Sequence, residues 1–391
     1  MIRKKTTNDI IVLYFVFICF LLDSVIQLSG NAVLYALSIF QIGVVFLYLL
    51  HTRKVEQYKF SLFSATIFSL LIIIIVFWFP DKNTIYIRLF VIKFILLVGL
   101  LSTTTLTLEE LTKFINRTFL IYASLSIVNW LGLIPLTHPT NVFVKELLGI
   151  PILTLFGLDG STADIDSYSA LVLIWNLFIN KNHKWPWILF SLAVLLLTFR
   201  TTPLALMLLS ISSYIVIRHR VSAFANYLFI VIVLFIATMW LVSNQDHYLG
   251  DKTIYEVAWH ATHARSAIWI EVFHRLFDKY TVLELIYGNY GENTPFDFYH
   301  INGITQYSYL NPHNNYYLLI LRSPIISVLL FVWFLILVLK NFNRKTNPII
   351  MVIALSSLSN SSIIGLGNPI YLIILIYLLS PKALQLQRNI K

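Results

Sequence analysis

The 391-residue chain has one cysteine, Cys19, so it carries neither a disulfide framework nor a thiolate metal site. Charge is scarce as well: Asp, Glu, Lys and Arg together make up 12% of the residues, against 58% hydrophobic. A soluble core of this size needs more charged surface than that. Apolar and polar residues do not alternate regularly, which disfavours a membrane β-barrel. No internal repeat or low-complexity segment interrupts the chain. The sequence also has no phosphate-binding Walker loop, dinucleotide fingerprint or serine-nucleophile elbow. Those absences weaken nucleotide-driven transport and soluble-type hydrolysis as readings.

What the chain does have is long apolar runs, with a mean hydropathy of +0.79. Short basic clusters separate them, and aromatic residues, 15% of the total, gather near their ends. The expected fold class is therefore an all-α polytopic membrane protein of about 12 transmembrane helices, with one large outside loop. The formal charge of +10 does not point to nucleic acid, because the basic residues lie in short loops between apolar runs. That distribution is the positive-inside bias of membrane insertion. It puts both termini in the cytoplasm.

The first run, Ile10–Leu22, resembles a signal peptide but lacks a small-residue cleavage site, so an uncleaved first helix is expected. Further spans are expected at Ala32–Leu50, Phe60–Pro80 and Ile85–Leu101. Leu106–Arg117 reads as an interfacial amphipathic helix or as the extension of the next span, Thr118–Leu136. A loop, Thr137–Asp166, leads to a span at Ser167–Asn180. Trp185–Ile217 would reach about 50 Å as one helix, too long for a single crossing. Basic clusters flank it on both sides, which requires an even number of crossings. It therefore divides at Arg200-Thr201-Thr202-Pro203 into two short spans, with Arg200 recessed below the outer surface. Val221–Ser243 is the ninth span, so residues 1–243 form a first transmembrane section.

Residues 244–312 form the large loop, and 313–391 return to the membrane for spans ten to twelve before a basic tail. The polar stretch from Asn244 to Tyr317 holds six of the ten histidines and eight of the 18 acidic residues. Within it, Arg265, Trp269, Val272, Phe273 and Leu276 recur at spacings of three and four, so a helix over Thr262–Tyr280 is expected.

Charged groups at membrane depth are the first functional candidates. Lys93 lies near mid-bilayer in its span, where a lone lysine costs about 2.5–3.5 kcal/mol. Pairing within the bundle and a direct substrate role both satisfy it. Arg88, shallower on the same span, is a candidate substrate contact. Arg200 offers planar, bidentate recognition of phosphate, weighed against an ordinary span-end anchor to headgroups. Arg322, beside Pro324, either reaches the same cavity or bonds carbonyls freed by the proline. His260 and His263 share a helix face, yet the spacing supplies no third ligand, so no metal site is expected. Asn116-Arg117-Thr118 is sequon-like but falls on the cytoplasmic side.

His313-Asn314-Asn315-Tyr316-Tyr317-Leu318, opening a span, resembles the His-Asn-x-Tyr-Leu entry of the O-antigen polymerase and O-antigen ligase superfamily. Phe199-Arg200-Thr201-Thr202-Pro203-Leu204 is similar to that family's arginine segment before a mid-chain span. Ala264-Arg265-Ser266-Ala267-Ile268-Trp269 resembles its arginine–tryptophan loop helix, and Gly288-Asn289-Tyr290-Gly291 the glycine turn after it. Asp166-Ser167-Tyr168-Ser169-Ala170 loosely matches an earlier segment. The likeness covers roughly Asp166–Leu339. Ligases often carry glycine eleven residues after the histidine, where this chain has Pro324, which tilts the resemblance toward polymerase.

The resemblance implies a glycosyltransferase that polymerises polyprenyl-diphosphate-linked oligosaccharide repeats on the periplasmic face of the bacterial inner membrane. Arg200 and Arg265 would hold the diphosphate, and His313 would act as general base or diphosphate donor. Asn314, Tyr316, Arg322, Arg88 and Glu292 are the further substrate-binding candidates, and Glu256, Glu271, Glu292 and Asp297 are alternatives for binding sugar hydroxyls or acting as the base. No cofactor or metal is implied. Expected partners are the lipid-linked donor and acceptor, membrane lipid, and a chain-length-regulating protein. Two alternatives stay open: a ligase moving glycan to lipid A-core, and a transporter of the same lipid-linked glycan.

Overall fold

A computed structural model describes residues 2–26, 31–52, 106–134, 144–147, 150–158, 162–262, 265–287, 296–300, 303–307, 324–359 and 369–379, with isolated positions between 92 and 101, at 136, and between 316 and 320. The described chain is mostly helical. It divides into two compact units. One comprises residues 1–218, 341–356 and 362–391, the other residues 219–340 and 357–361. Spans expected at Phe60–Pro80 and over most of Ile85–Leu101 lie outside the described residues.

The first unit contains α1 (Ile2–Ile26), α2 (Asn31–His51), α3 (Leu108–Trp130), the hairpin β1 (Val144–Leu147) and β2 (Ile150–Leu153), α4 (Thr162–Phe178), α5 (Lys184–Leu197) and α6 (Thr201–Val216). Its later elements are most of α12 (Asn347–Ser359) and all of α13 (Pro369–Leu379). Helix α4 is the hub: α3, α5 and α6 all pack on it. Its sequence explains that position. Ile165, Tyr168 and the run Ala170–Trp175 are all buried, and from Ala170 to Trp175 the helix is apolar on every side. A stretch apolar all round belongs inside, and the polar side chains of α4 beside it, Asp166, Ser167 and Asn176 among them, are buried as well.

Amphipathic Leu106–Arg117 is not a separate helix but runs on into the segment after it. Helix α3 runs unbroken from a capping box, in which Glu110 Oε2 accepts the Thr107 amide at 2.9 Å and the Glu110 amide donates to Thr107 Oγ1 at 3.3 Å. It stops six residues earlier than the expected Leu136. Gly132 adopts a left-handed φ of 71°, and the Leu133 amide reaches back to Val128 O at 3.1 Å. Only glycine takes that turn without strain.

The loop expected over Thr137–Asp166 is more structured than its composition suggests. β1 and β2 pair antiparallel, with Val144 opposite Leu153 and Leu147 opposite Ile150. The segment after β2 then buries Leu155, Phe156 and Leu158.

The second unit contains α7 (Arg220–Asn244), the short pair β3 (Tyr248–Leu249) and β4 (Lys252–Thr253), α8 (Ile254–Thr262), α9 (Arg265–His274), a π turn (Arg275–Lys279) and α10 (Val282–Tyr287). A second hairpin, β5 (Phe296–His300) and β6 (Gly303–Tyr307), and α11 (Pro324–Asn341) complete it. Helices α8 and α9 both pack on α7. The helix expected over Thr262–Tyr280 is found as α9 with the π turn that continues it to Lys279; residues 263 and 264, between α8 and α9, lie outside the described residues. Helix α7 is the one described helix both long and apolar enough to cross a bilayer, and seven shorter apolar helices accompany it.

Candidate functional site

Arg200 sits in the break between α5 and α6, and the break is built from local bonds. Thr198 Oγ1 donates to Leu195 O at 2.7 Å, closing the end of α5. Phe199 then takes a left-handed φ of 49°, and Arg200, at the N-cap of α6, is extended with φ −103° and ψ 131°. Pro203 falls in the first turn of α6, where its missing amide hydrogen costs nothing. The Arg-Thr-Thr-Pro sequence thus ends one helix and starts another, as its residue types suggest.

The Arg200 side chain turns to α4. Its Nη1 lies 2.8 Å from Asp166 Oδ2, and the two side chains differ in exposure: 21% for the arginine, 2% for the aspartate. The other carboxylate oxygen accepts a hydrogen bond from Ser167 Oγ at 3.0 Å. Two of the sequence segments that carry the family resemblance are thereby joined by one ion pair. Asp166 was legible as part of a loose motif only. The signal that could have found its role was simpler: an acid at the edge of an apolar run needs a cationic partner once it is buried.

Arg265 opens α9 and is half-buried. Behind it the helix packs firmly. Ala267, Ile268, Val272, Phe273 and Leu276 form one cluster with Tyr317, and Trp269, Leu234 and Phe235 close around it. Val272, Phe273 and Leu276 of the expected face are buried, but so are Ser266, Ala267, Ile268 and Ile270, so burial extends around the helix beyond that face. Tyr317 is fully buried and its ring meets Phe235, Trp269 and Phe273 at centroid distances of 5.4, 5.9 and 6.0 Å. Its hydroxyl bonds the Thr238 hydroxyl and donates to Leu234 O at 3.2 Å. The end of the His-Asn-Asn-Tyr-Tyr segment is thus pinned to α7 and α9. Tyr316 is helical and half-buried. His313, Asn314, Arg322, Arg88 and Glu292 lie outside the described residues.

Two acids weighed as sugar contacts have local partners in the fold. Glu256 caps α8: its Oε2 accepts the Thr253 amide at 2.9 Å and its own amide donates to Thr253 Oγ1 at 3.2 Å. Glu271 pairs with Arg275 at 3.0 Å, both side chains mostly buried. His274 meets Asp278 at 2.8 Å on the following turn. Tyr255, beside Trp259 on α8, has its phenol pushed up to about 12 by burial, so it stays neutral at physiological pH.

Lys93 donates to Ser38 Oγ at 2.8 Å, which favours pairing within the bundle. Asn116, of the sequon-like triplet, is buried and exchanges amide hydrogen bonds with Asn176 at 3.1 and 2.8 Å. Among the described residues no group of three His, Cys, Asp or Glu side chains could hold a metal ion. No protein-family model, curated protein or solved structure matches this chain.

Proposed function

We propose that the chain is a polytopic enzyme of the bacterial inner membrane that joins polyprenyl-diphosphate-linked oligosaccharide repeats into a surface polysaccharide. In this reading both termini are cytoplasmic and residues 244–312 face the periplasm. Support for the membrane setting comes from the wide apolar surface of the helices. Leu189 and Leu196 on α5, Leu208 and Ile215 on α6, and Phe229, Ile236 and Trp240 on α7 all point outward. In water such surface would drive aggregation; in lipid it is ordinary.

The observation that carries the enzymatic reading is the Asp166–Arg200 ion pair. It ties together two segments that resemble parts of the O-antigen polymerase and ligase superfamily, and it holds the recessed arginine of the break. The reaction requires no metal, because a diphosphate is a good leaving group. An acceptor sugar hydroxyl attacks the anomeric carbon of the lipid-linked donor; the carbon–oxygen bond to the diphosphate breaks; the hydroxyl proton passes to a base. On the resemblance, Arg200 and Arg265 each bear on the diphosphate and its developing charge, and His313 takes the proton. Tyr316, Asn314, Arg322, Arg88 and Glu292 remain the proposed contacts to the rest of the substrate.

The test is the surface-glycan ladder of a deletion strain. Loss of a polymerase leaves single repeats on the surface lipid, whereas loss of a ligase leaves none. Purified protein supplied with donor and acceptor lipids decides the chemistry: if no longer chains form, the enzyme reading fails and transport takes its place.

A further inference from the structure

A carboxylate inside an apolar helix is costly unless a cation and hydrogen bonds offset it. Asp166 meets both conditions. It stands near the start of α4, the helix packed on by three others, and is 2% exposed. Ser167 Oγ donates to one of its oxygens, and Arg200 Nη1 lies against the other. The two members of the pair are unequal. Asp166 sits on the buried hub of the unit, whereas Arg200 extends a long, rotatable side chain from a bend and is 21% exposed. The rigid partner is the acid.

We infer that Asp166 is a positioning residue, which holds the Arg200 guanidinium in the orientation that receives a polyprenyl diphosphate. The inference rests on the glycosyltransferase reading above. A guanidinium recognises two phosphate oxygens through a planar fork, so its value depends on the direction of that plane. A buried carboxylate against one nitrogen restricts the directions that plane can take. Ser167 in turn fixes the carboxylate, so Ser167, Asp166 and Arg200 form one chain from the helix core to the partly exposed guanidinium. A displacement of about 1 Å in such a group costs on the order of 10²-fold in rate.

The experiment uses the purified full-length protein in detergent micelles, titrated with farnesyl diphosphate as a short polyprenyl diphosphate. Elongation of lipid-linked repeats is measured alongside. Asp166→Asn is expected to weaken diphosphate binding by about tenfold and to slow elongation comparably. Arg200→Ala weakens binding further, and adding Asp166→Asn to Arg200→Ala changes nothing more, because the aspartate acts through the arginine. A purely structural aspartate would lower the thermal midpoint and leave the affinity of the folded protein unchanged. That result, or a further loss in the double variant, overturns the inference.

Ser167→Ala keeps both charges and serves where Asp166→Asn does not accumulate. It is expected to weaken binding by about two- to fivefold, and native affinity in this variant also overturns the inference. A native protein that binds the diphosphate through this pair yet elongates no glycan defeats the enzyme reading alone. One that elongates glycan with Asp166 and Ser167 variants unaffected defeats the positioning role alone. One that neither binds nor elongates defeats both.

Discussion

Arg200, Arg265 and His313 carry the chemical burden of the proposed reaction, and alanine at each should abolish long glycan chains while membrane expression stays normal. Surface-glycan electrophoresis checks this; full-length chains in any variant remove that residue from the site. Arg200→Lys should fail as well, because lysine keeps the charge and loses the planar fork. Tyr317 separates packing from hydrogen bonding. Tyr317→Phe removes the bonds to Thr238 and Leu234 and should cost about 1 kcal/mol. Tyr317→Ala also empties the ring's place among Phe235, Trp269 and Phe273, and should cost about 3–5 kcal/mol. Thermal unfolding of the solubilised protein should order the two. Equal losses would mean that the hydroxyl, not the ring, anchors the segment.

Among the elements, the contact of α3 with α4 is polar, which the apolar runs of the two helices did not announce. Asn116 and Asn176 exchange two hydrogen bonds, Trp175 Nε1 donates to Thr112 Oγ1 at 3.1 Å, and the Thr118 and Tyr168 hydroxyls bond at 2.8 Å. Between apolar helices such bonds hold register, each worth about 0.6–2 kcal/mol. Asn116→Ala removes both bonds between the helices but leaves Asn176 its bonds to Val172 O and Asn180, and should cost about 1 kcal/mol. Replacing both asparagines by leucine should recover most of that loss, and a double variant weaker than the single one would show a larger role for the pair.

These bonds also mark where sequence reading stops. Both ends of α7 and the C-terminal end of α2 fell within a residue or two of expectation, because long apolar runs bounded by charge announce themselves. The α5–α6 break was legible because arginine and proline interrupt a run too long for one crossing. Which polar residue in α3 faces which in α4 depends on rotation and depth, and neither is written in local composition. The hairpin of β1 and β2 escaped for a similar reason, since Val-Lys-Glu-Leu and Ile-Pro-Ile-Leu form strands only by pairing with each other. The same limit hid Asp166 as the partner of Arg200: the acid and the arginine were each visible, and their meeting was not.

At the scale of the whole molecule, the membrane reading makes a topological claim. A phosphatase fused after Gly303, in the β5–β6 hairpin, should be active outside the cell membrane, and one fused after Asn343, between α11 and α12, should be inactive. The opposite pattern would place residues 244–312 in the cytoplasm and end the proposed reaction, whose substrates lie on the other face. Basic residues at the second site, Arg344 and Lys345, favour the inside. Arg344 is further held there by its own packing, with the guanidinium 4.5 Å from the Tyr214 ring and Nε donating to Tyr214 O at 2.9 Å.

The lone cysteine has a practical consequence. Cys19 is 2% exposed on α1, and no other thiol exists in the chain. A maleimide dye that fluoresces on reaction should stay dark on the folded protein and brighten as α1 comes away from its neighbours. The native sequence therefore carries its own unfolding reporter, with one signal and no background. The same property makes every engineered surface cysteine a unique label, so the chain can be mapped position by position without first being stripped of thiols.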